Sequence, residues 1–167
     1  MNKTRTTIGA LSLSAAALVG LALQEGYTDK AVQPLPGDKW TNGFGSTTND
    51  AGQALKPGEA VTPPQALARK LRDVRNFEGK LQTCVKAELT QGEYDSLVSL
   101  AYNVGGDAVC NSTMVRLHNA GQHAEACAQF DRWTFYQGKD CRDPANRCSG
   151  LAKRRAAERA MCEGRTS

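Results

Sequence analysis

The hydrophobic pattern of this 167-residue chain begins with an uncharged N-terminal segment. Residues 6 to 24 carry no charge, and the apolar stretch Ile8–Leu23 lies within them. Its length falls between that of a signal-peptide core and that of a full membrane span. Ala, Gly and Ser dominate the stretch, so each residue contributes little transfer free energy. The pattern predicts a helix over Ile8–Gln24 that inserts into a bilayer but is held weakly there.

Three interpretations of this segment are open. The first is a cleaved secretory signal with its cleavage site near Gly20-Leu21-Ala22. The second is a stable anchor, and the third is an uncleaved signal anchor that later leaves the membrane. Lys3 and Arg5 precede the stretch. Because positive residues stay on the cytoplasmic side, all three interpretations export the rest of the chain. The position of Glu25, directly after the apolar stretch, favours release of an uncleaved anchor.

The remainder of the chain has a turn-rich part and a longer helical part. Residues 30–63 are rich in Gly, Pro, Thr and Asn, which is typical of turns and short hairpin strands. Apolar spacing and capping patterns then predict five helices. They run over Pro64–Val85, from the Thr90–Glu93 capping box to Val104, from Asn111 or Ser112 to Gly121, over His123–Tyr136, and over Gly150–Cys162 with Ser149 as cap. The sequence therefore predicts an α+β fold, mainly helical, with a small β-hairpin lobe and a helical lobe flanking a cleft.

Charge and motif content narrow the functional classes. The 21 basic and 17 acidic residues give a net charge of +4. This modest excess suits a polyanionic surface but is small for a dedicated nucleic-acid binder. No GxGxxG, GxxxxGK[ST] or HExxH string occurs, which argues against dinucleotide, P-loop and common zinc-hydrolase chemistry. Only one stretch approaches membrane length, so a multi-span protein is excluded.

Six cysteines agree with export. They stand at positions 84, 110, 127, 141, 148 and 162, and none lies in the N-terminal half. An even number in an exported chain indicates three disulfides. A zinc cluster is the alternative, but no CxxC string occurs and the chain has only two histidines. Cys141 and Cys148 bracket a short polar loop, which favours a local pair, whereas the residues alone do not pair the other four.

Two carboxyl groups and a hydroxyl follow the apolar segment. Glu25 ends it, Asp38 comes thirteen residues later, and Thr41 precedes the Gly43-Phe44-Gly45 string. A carboxyl at the end of an apolar helix can be desolvated, which favours its protonated form, and a carboxylate on a glycine-rich hairpin can face it. Glycoside hydrolysis needs two such opposed groups, and a threonine hydroxyl can orient water. Asp29 is the alternative second acid, but it lies only four residues after Glu25.

The order of these residues carries a family resemblance. The string EGYTDKAVQPLPGDKWTNGFGST resembles the active-site segment of phage-type lysozymes of glycoside hydrolase family 24, the T4-lysozyme-like endolysins. The resemblance continues in LTQGEYDSLVSLAYNVGGDAVCNSTMVRLHNAG, in QFDRWTFYQGK and in GLAKRRAAERAMC, and it covers nearly everything after Leu23. The N-terminal stretch resembles the signal-anchor-release segment of exported members, whose helix leaves the bilayer before the enzyme acts.

The resemblance implies roles for particular residues. Glu25 matches the family's general acid, and Thr41 matches its catalytic threonine. The usual acidic or cysteine position, nine residues after the glutamate, is Pro34 here, and Asp38 resembles the replacement in a subgroup with a Pro-Gly-Asp turn. The implied reaction is hydrolysis of the β-1,4 bond between N-acetylmuramic acid and N-acetylglucosamine in peptidoglycan, with no cofactor and no metal. A non-catalytic cell-wall-binding module is the rival, because of Pro34 and the basic last helix.

The resemblance also implies an organisation of the chain. Residues 1–24 are expected to form the signal anchor and residues 25–167 a lysozyme-like catalytic domain. The expected partners are peptidoglycan glycan strands and, before release, the inner membrane; no nucleic acid is expected, and the protein is expected to be a monomer. Its expected location is the periplasmic face of the host inner membrane and then the periplasm. Resemblance and helix order favour the pairs Cys84–Cys110, Cys127–Cys162 and Cys141–Cys148.

Overall fold

The computed structural model describes residues 4–165, and within that range the chain is mainly helical. Its α-helices are α1 (Ala15–Glu25), α2 (Pro63–Cys84), α3 (Gln91–Val104), α4 (Gly106–Cys110), α5 (Thr113–Asn119), α6 (His123–Ala128) and α7 (Ser149–Cys162). Its strands are β1 (Thr6–Thr7), β2 (Thr28–Val32), β3 (Thr41–Gly43), β4 (Glu88–Leu89), β5 (Phe135–Tyr136) and β6 (Lys139–Asp140). The strands pair antiparallel as β1–β4, β2–β3 and β5–β6. The predicted α+β class is confirmed.

The described chain separates into two compact units. Residues 14–76 form one, which we call the hairpin unit. Residues 4–13 together with 77–165 form the other, which we call the helical unit. The apolar N-terminal stretch is therefore shared, because its first part belongs to the helical unit and its second part to the hairpin unit.

The N-terminal stretch is not the single helix predicted over Ile8–Gln24. A short 3-10 helix covers Ile8–Ala10, and α1 begins only at Ala15. Ser14 is the N-cap of α1, because its hydroxyl accepts a hydrogen bond of 3.1 Å from the Ala17 amide. Serines within an apolar run thus divide it into separate elements. Among residues 4–165, no helix combines the length and the apolar character needed to cross a bilayer.

The β2–β3 hairpin packs its backbone directly against α2. Thr28 pairs with Gly43 and Val32 with Thr41, with an irregularity between the two pairs. A Cβ atom at Gly43 would lie 2.6 Å from the Ala66 Cβ, and the Gly43 φ is +60°. Only glycine satisfies both the close approach and the backbone conformation. The predicted hairpin in this part of the chain is confirmed.

Helix α3 is the buried element of the helical unit, and every residue from Glu93 to Ala101 is buried. Its predicted capping box is confirmed. The Thr90 hydroxyl accepts a hydrogen bond of 3.2 Å from the Glu93 amide, and the Glu93 carboxylate accepts one of 2.8 Å from the Thr90 amide. Ser112 likewise caps α5 by accepting from the Val115 amide at 3.3 Å.

Two helix predictions in the second half are wrong. The segment His123–Tyr136 is not one helix, because α6 ends at Ala128, a 3-10 turn follows, and the chain enters the β5–β6 hairpin. Gln137 and Gly138 at the tip of that hairpin have φ values of +49° and +76°, which a right-handed helix excludes. The last helix begins at Ser149 itself, so Cys148 and not Ser149 holds the capping position.

The four basic residues of α7 do not form a uniformly solvated face, because Arg155 is buried, Arg154 and Arg159 are half-buried and only Lys153 is exposed. Arg155 is fully buried and donates hydrogen bonds to Glu158 and to Asn103. Arg154 donates to the same Glu158 carboxylate at 3.2 Å. Burial lowers the pKa of Arg155 despite the opposing effect of Glu158. These side chains therefore stabilise the contact between α3 and α7.

Three disulfides close the helical unit. Cys84–Cys110 joins the end of α2 to α4, Cys127–Cys162 joins α6 to α7, and Cys141–Cys148 closes the loop after β6. The pairing that the resemblance implies is therefore confirmed. No cysteine among the described residues is free.

Candidate active site

Glu25 is the last residue of α1 and is exposed to solvent. The helix ends there because Gly26 has φ +70° and ψ −179°, a backbone conformation essentially restricted to glycine. The Glu-Gly order therefore fixes the carboxyl group at a helix end. The exposure of Glu25 differs from the enclosed apolar setting that the end of a hydrophobic helix predicts.

The glycine-rich loop after β3 approaches Glu25 through its backbone. A Cβ atom at Gly45 would lie 3.2 Å from the Glu25 Oε2 and 3.7 Å from its Cδ. Asn42 and Ser46 exchange two backbone hydrogen bonds of 3.1 Å, which close the loop around Gly43, Phe44 and Gly45. The absence of a side chain at Gly45 lets the backbone of the loop lie close to the carboxylate.

Polar side chains of α2 hold this loop in place. Arg69 donates to the Asn42 Oδ1 at 3.1 Å, and Lys70 donates to the Phe44 carbonyl at 3.2 Å. The Ser46 hydroxyl donates to Asp73 at 2.6 Å. Arg69 and Lys70 are buried. Sequence reasoning misses these residues, since charged residues on a long amphipathic helix predict a solvated face.

An ion pair outside the loop orients Arg69. Its Nε donates to the Asp50 Oδ1 at 2.7 Å. This hydrogen bond lowers the pKa of Asp50 and raises that of Arg69. Arg69 thereby links a surface carboxylate to the amide of Asn42, which borders the glycine-rich loop.

Thr41 is the first residue of β3, on the strand that leads into the glycine-rich loop. It is half-buried, and its hydroxyl donates to the Val32 carbonyl at 3.5 Å. The opposite end of the hairpin is the pair Thr28–Gly43, and Thr28 follows Glu25 by three residues. Thr41 therefore lies towards the end of the hairpin where β2 and β3 are connected.

Asp38 lies in the loop that connects β2 to β3 and is exposed to solvent. Its amide donates to the Leu35 carbonyl at 3.0 Å, which closes a turn with Gly37 at φ +94°. Pro followed by a glycine with positive φ is typical of a type II turn. The Gln33 side chain donates to the Asp38 carbonyl at 2.7 Å and braces the loop. The Asp38 carboxyl therefore stands on an ordered turn at the connected end of the hairpin.

Asp29 and Pro34 complete the set of positions that the sequence singled out. Asp29 lies on β2 and is exposed. Its backbone carbonyl accepts a hydrogen bond of 2.9 Å from the Val61 amide. Pro34 is exposed in the same connecting loop as Asp38. All the candidate site residues thus belong to the hairpin unit.

Solved structures similar to this chain identify the class. An endolysin from Escherichia coli O157:H7 phage FAHEc1 has a TM-score of 0.78 and 28% identity, covering 95% of this chain and 96% of that chain. A mutant of P22 lysozyme has a TM-score of 0.76 and 27% identity, covering 90% and 97%. The fold is that of a lysozyme-like protein.

Sequence comparisons identify the family. An endolysin of Acyrthosiphon pisum secondary endosymbiont phage 1 is 35% identical over 153 residues, covering 92% of this chain and 99% of the relative. The SAR-endolysin of Enterobacteria phage P21 is 27% identical over 156 residues, covering 92% and 88%. This chain spans about half, 49%, of the endolysin of Bacillus phage PZA. The sequence profile of the phage lysozyme family matches residues 22–158, and the chain belongs to this family. It is a glycoside hydrolase that acts on peptidoglycan.

Proposed function

We propose that the protein is an endolysin muramidase that cuts the β-1,4 bond between N-acetylmuramic acid and N-acetylglucosamine, with Glu25, Asp38 and Thr41 as its catalytic residues. The observation that carries this proposal is the close approach of Gly45 to the Glu25 carboxylate, where an added Cβ atom would lie 3.2 Å from Oε2. It joins a carboxyl group at a helix end to the hairpin that bears Thr41 and Asp38. Family membership supports the reaction class.

Glu25 serves as the general acid in this mechanism. A protonated carboxyl group donates its proton to the glycosidic oxygen as the bond to the anomeric carbon breaks. Gly45 supports the role because it places no side chain of its own beside the Glu25 Oε2. The exposure of Glu25 lets solvent restore the proton after each turnover.

Asp38 and Thr41 act on the opposite side of the reaction. As the bond breaks, positive charge develops on the sugar ring, and a carboxylate stabilises that charge or activates the incoming water. The Thr41 hydroxyl donates at 3.5 Å to Val32, and its oxygen lone pairs remain able to accept from water. The braced turn supports Asp38 in this role, since it limits the movement of the carboxyl group.

The N-terminal stretch acts as a releasable signal anchor in this proposal, which locates the protein first at the inner membrane and then in the periplasm. SAR-endolysin relatives support this assignment. Leu23 and Val19 of α1 are 78% and 58% exposed, so a bilayer can still cover side chains that the fold leaves in solvent. Since α1 ends in Glu25, a membrane-inserted α1 withdraws the acid from Gly45 and keeps the enzyme inactive.

Turbidity of outer-membrane-permeabilised Gram-negative cells tests the reaction. Wild type should clear the suspension, and Glu25→Gln should lose at least about 100-fold in rate, the low end of general acid–base effects. Glu125→Gln on the exposed face of α6 is the matched control and should keep full activity. Equal rates for wild type and Glu25→Gln would remove Glu25 from the mechanism. An inactive wild type that still sediments with cell walls would establish the non-catalytic binding module.

A further inference from the structure

Three side chains that commonly bind metals meet in the helical unit. Glu93 comes from α3, His118 from α5 and His123 from α6. The two Nδ1 atoms of the histidines are 3.3 Å apart, and the His123 Nδ1 is 3.3 Å from the Glu93 Oε1. Glu93 and His118 are buried, and His123 is half-buried. The chain has only two histidines, and both are in this cluster.

The two histidines do not carry enough N–H groups to satisfy the close approaches within this cluster. A neutral imidazole carries one N–H, so the three facing atoms share too few protons for every lone pair. If the His118 Nδ1 donates to His123, then the bare His123 Nδ1 faces the Glu93 carboxylate. If the His123 Nδ1 is the donor, one proton must serve both Glu93 and His118. Arg5 donates to the Glu93 Oε1 but not to either histidine nitrogen, whereas a metal ion in its place would accept lone pairs from all three atoms.

The spacing fits one class of cation. Zinc–nitrogen bonds of about 2.0–2.1 Å in tetrahedral geometry separate neighbouring ligand atoms by about 3.3 Å. Two of the three separations match that tetrahedral edge, and all three ligand atoms lie within 4.8 Å of one another. Two imidazoles and one carboxylate are also a known zinc ligand set that leaves the fourth position for water. An open recess of 200 Å³ beside Glu93 and His123 provides room for that water and an entry path.

We propose that Glu93, His118 and His123 bind a divalent transition metal of the zinc class, in a site separate from the catalytic residues. The surroundings of the cluster suit this role. The Thr90 amide holds the Glu93 Oε2 at 2.8 Å, which orients the carboxylate so that Oε1 faces His123. His118 is fully buried, so solvent does not compete for its ring nitrogens.

Arg5 is the competitor for this site. Its Nη2 donates to the Glu93 Oε1 at 2.9 Å and its Nε to Oε2 at 3.3 Å. The guanidinium therefore occupies the same carboxylate oxygen that the metal requires, and the two cations exclude each other there. Arg5 directly precedes β1, so metal binding and docking of the N-terminal strand are linked and oppose each other.

Calorimetric titration of metal-free, tag-free full-length protein with Zn²⁺ tests the site, and Co²⁺ absorption reports its geometry. Arg5→Gln should bind one ion with a dissociation constant at least about tenfold lower than wild type, since one competing contact is lost. His123→Ala should weaken binding by at least about tenfold, and Co²⁺ should give tetrahedral bands only when both histidines are present. Arg116→Gln, which removes another charge from the same unit, should leave binding unchanged.

Two results would overturn the proposal. One is the absence of stoichiometric Zn²⁺ binding in both wild type and Arg5→Gln. The other is binding of the same affinity in wild type and His123→Ala, which would make the ion adventitious. Thermal unfolding without metal shows whether His123→Ala folds, and His123→Gln replaces it if it does not. None of these measurements uses lytic activity, so they are independent of the role of Glu25.

Discussion

The backbone of Gly45 lies against the carboxylate of Glu25, so closely that a methyl group there would meet the Glu25 Oε2 at 3.2 Å. Two segments of the hairpin unit meet at this point, the end of α1 and the loop that follows β3. The contact depends on two glycines, because Gly26 ends the helix and Gly45 admits the carboxylate. The position of the acid is therefore set by backbone geometry as much as by its own side chain.

Gly45→Ala should separate this positioning from general stability. The new methyl group displaces the Glu25 carboxylate, and φ of +83° adds roughly 1–2 kcal/mol of backbone strain. Gly52→Ala is the matched control, because Gly52 has φ +75° and open space around it. Thermal unfolding should show similar destabilisation of both variants, whereas turbidity assays should show loss of activity only for Gly45→Ala. Equal activity losses would mean that the contact does not position the acid.

Asp38 and Asp29 provide a second comparison. Asp38→Ala should lower lytic activity strongly, while Asp29→Ala should have a smaller effect, because the proposal gives the second carboxylate role to Asp38. Both residues are exposed, so neither change should destabilise the fold by more than about 0.5 kcal/mol. Rates and thermal unfolding of the two variants give the answer. The reverse order of activities would assign the water-activating role to Asp29.

The disulfides should stabilise the protein without controlling the site. Chain entropy predicts about 4 kcal/mol from Cys127–Cys162, whose cysteines are 35 residues apart, and about 2 kcal/mol from Cys141–Cys148, which are 7 apart. Double alanine variants of each pair should lower the unfolding temperature in that order. All three bridges lie outside the hairpin unit, so reduction should not switch on the activity. Free thiols in the native protein, or lysis that appears only on reduction, would contradict this.

The proposed membrane anchoring of the N-terminal stretch can be tested by substitutions that the folded form tolerates. Leucine at positions 15, 16 and 20 should hold the protein in the membrane and delay lysis, because it raises the transfer free energy of the segment. Ala15 and Ala16 are exposed, and a side chain at Gly20 meets no atom within 4 Å, so the folded state tolerates the changes.

Fractionation after expression measures this effect. A control with serine at positions 15 and 16 and alanine at position 20 should be released at least as readily as wild type. The anchor mechanism would be wrong if the leucine variant is released like wild type. It would also be wrong if the mature protein begins near Leu23 through cleavage.

The sequence correctly predicted structural elements that are stabilised by contacts between residues close together in the chain. The Thr90–Glu93 capping box is one such element, since both of its hydrogen bonds are made within four residues. The end of the first helix, predicted at Gln24, is likewise local, since the Gly26 backbone ends α1 at Glu25. Arg69 and Lys70 could not be recognised, because their burial depends on a loop more than twenty residues earlier in the chain.

The prediction of one helix over His123–Tyr136 was wrong for a related reason. Ala126, Phe130 and Trp133 have helical spacing, but the turn at Gln137 and Gly138 draws the chain into a hairpin. The spacing of apolar residues indicates which side chains are internal, and it does not determine where tertiary contacts end a helix. The exposed setting of Glu25 was likewise not visible in a sequence that places it after an apolar run.

Arg5 and Glu93 are 88 residues apart in the chain, and this separation sets an order of events during folding. Closure of so long a loop is entropically costly and comes late, after local helices have formed. Residues 4–13 can join the helical unit only once β4 and α3 have been synthesised and folded. Docking of the N-terminal strand therefore waits for the rest of the helical unit, and under the proposed signal-anchor role this order leaves the segment accessible to the bilayer first.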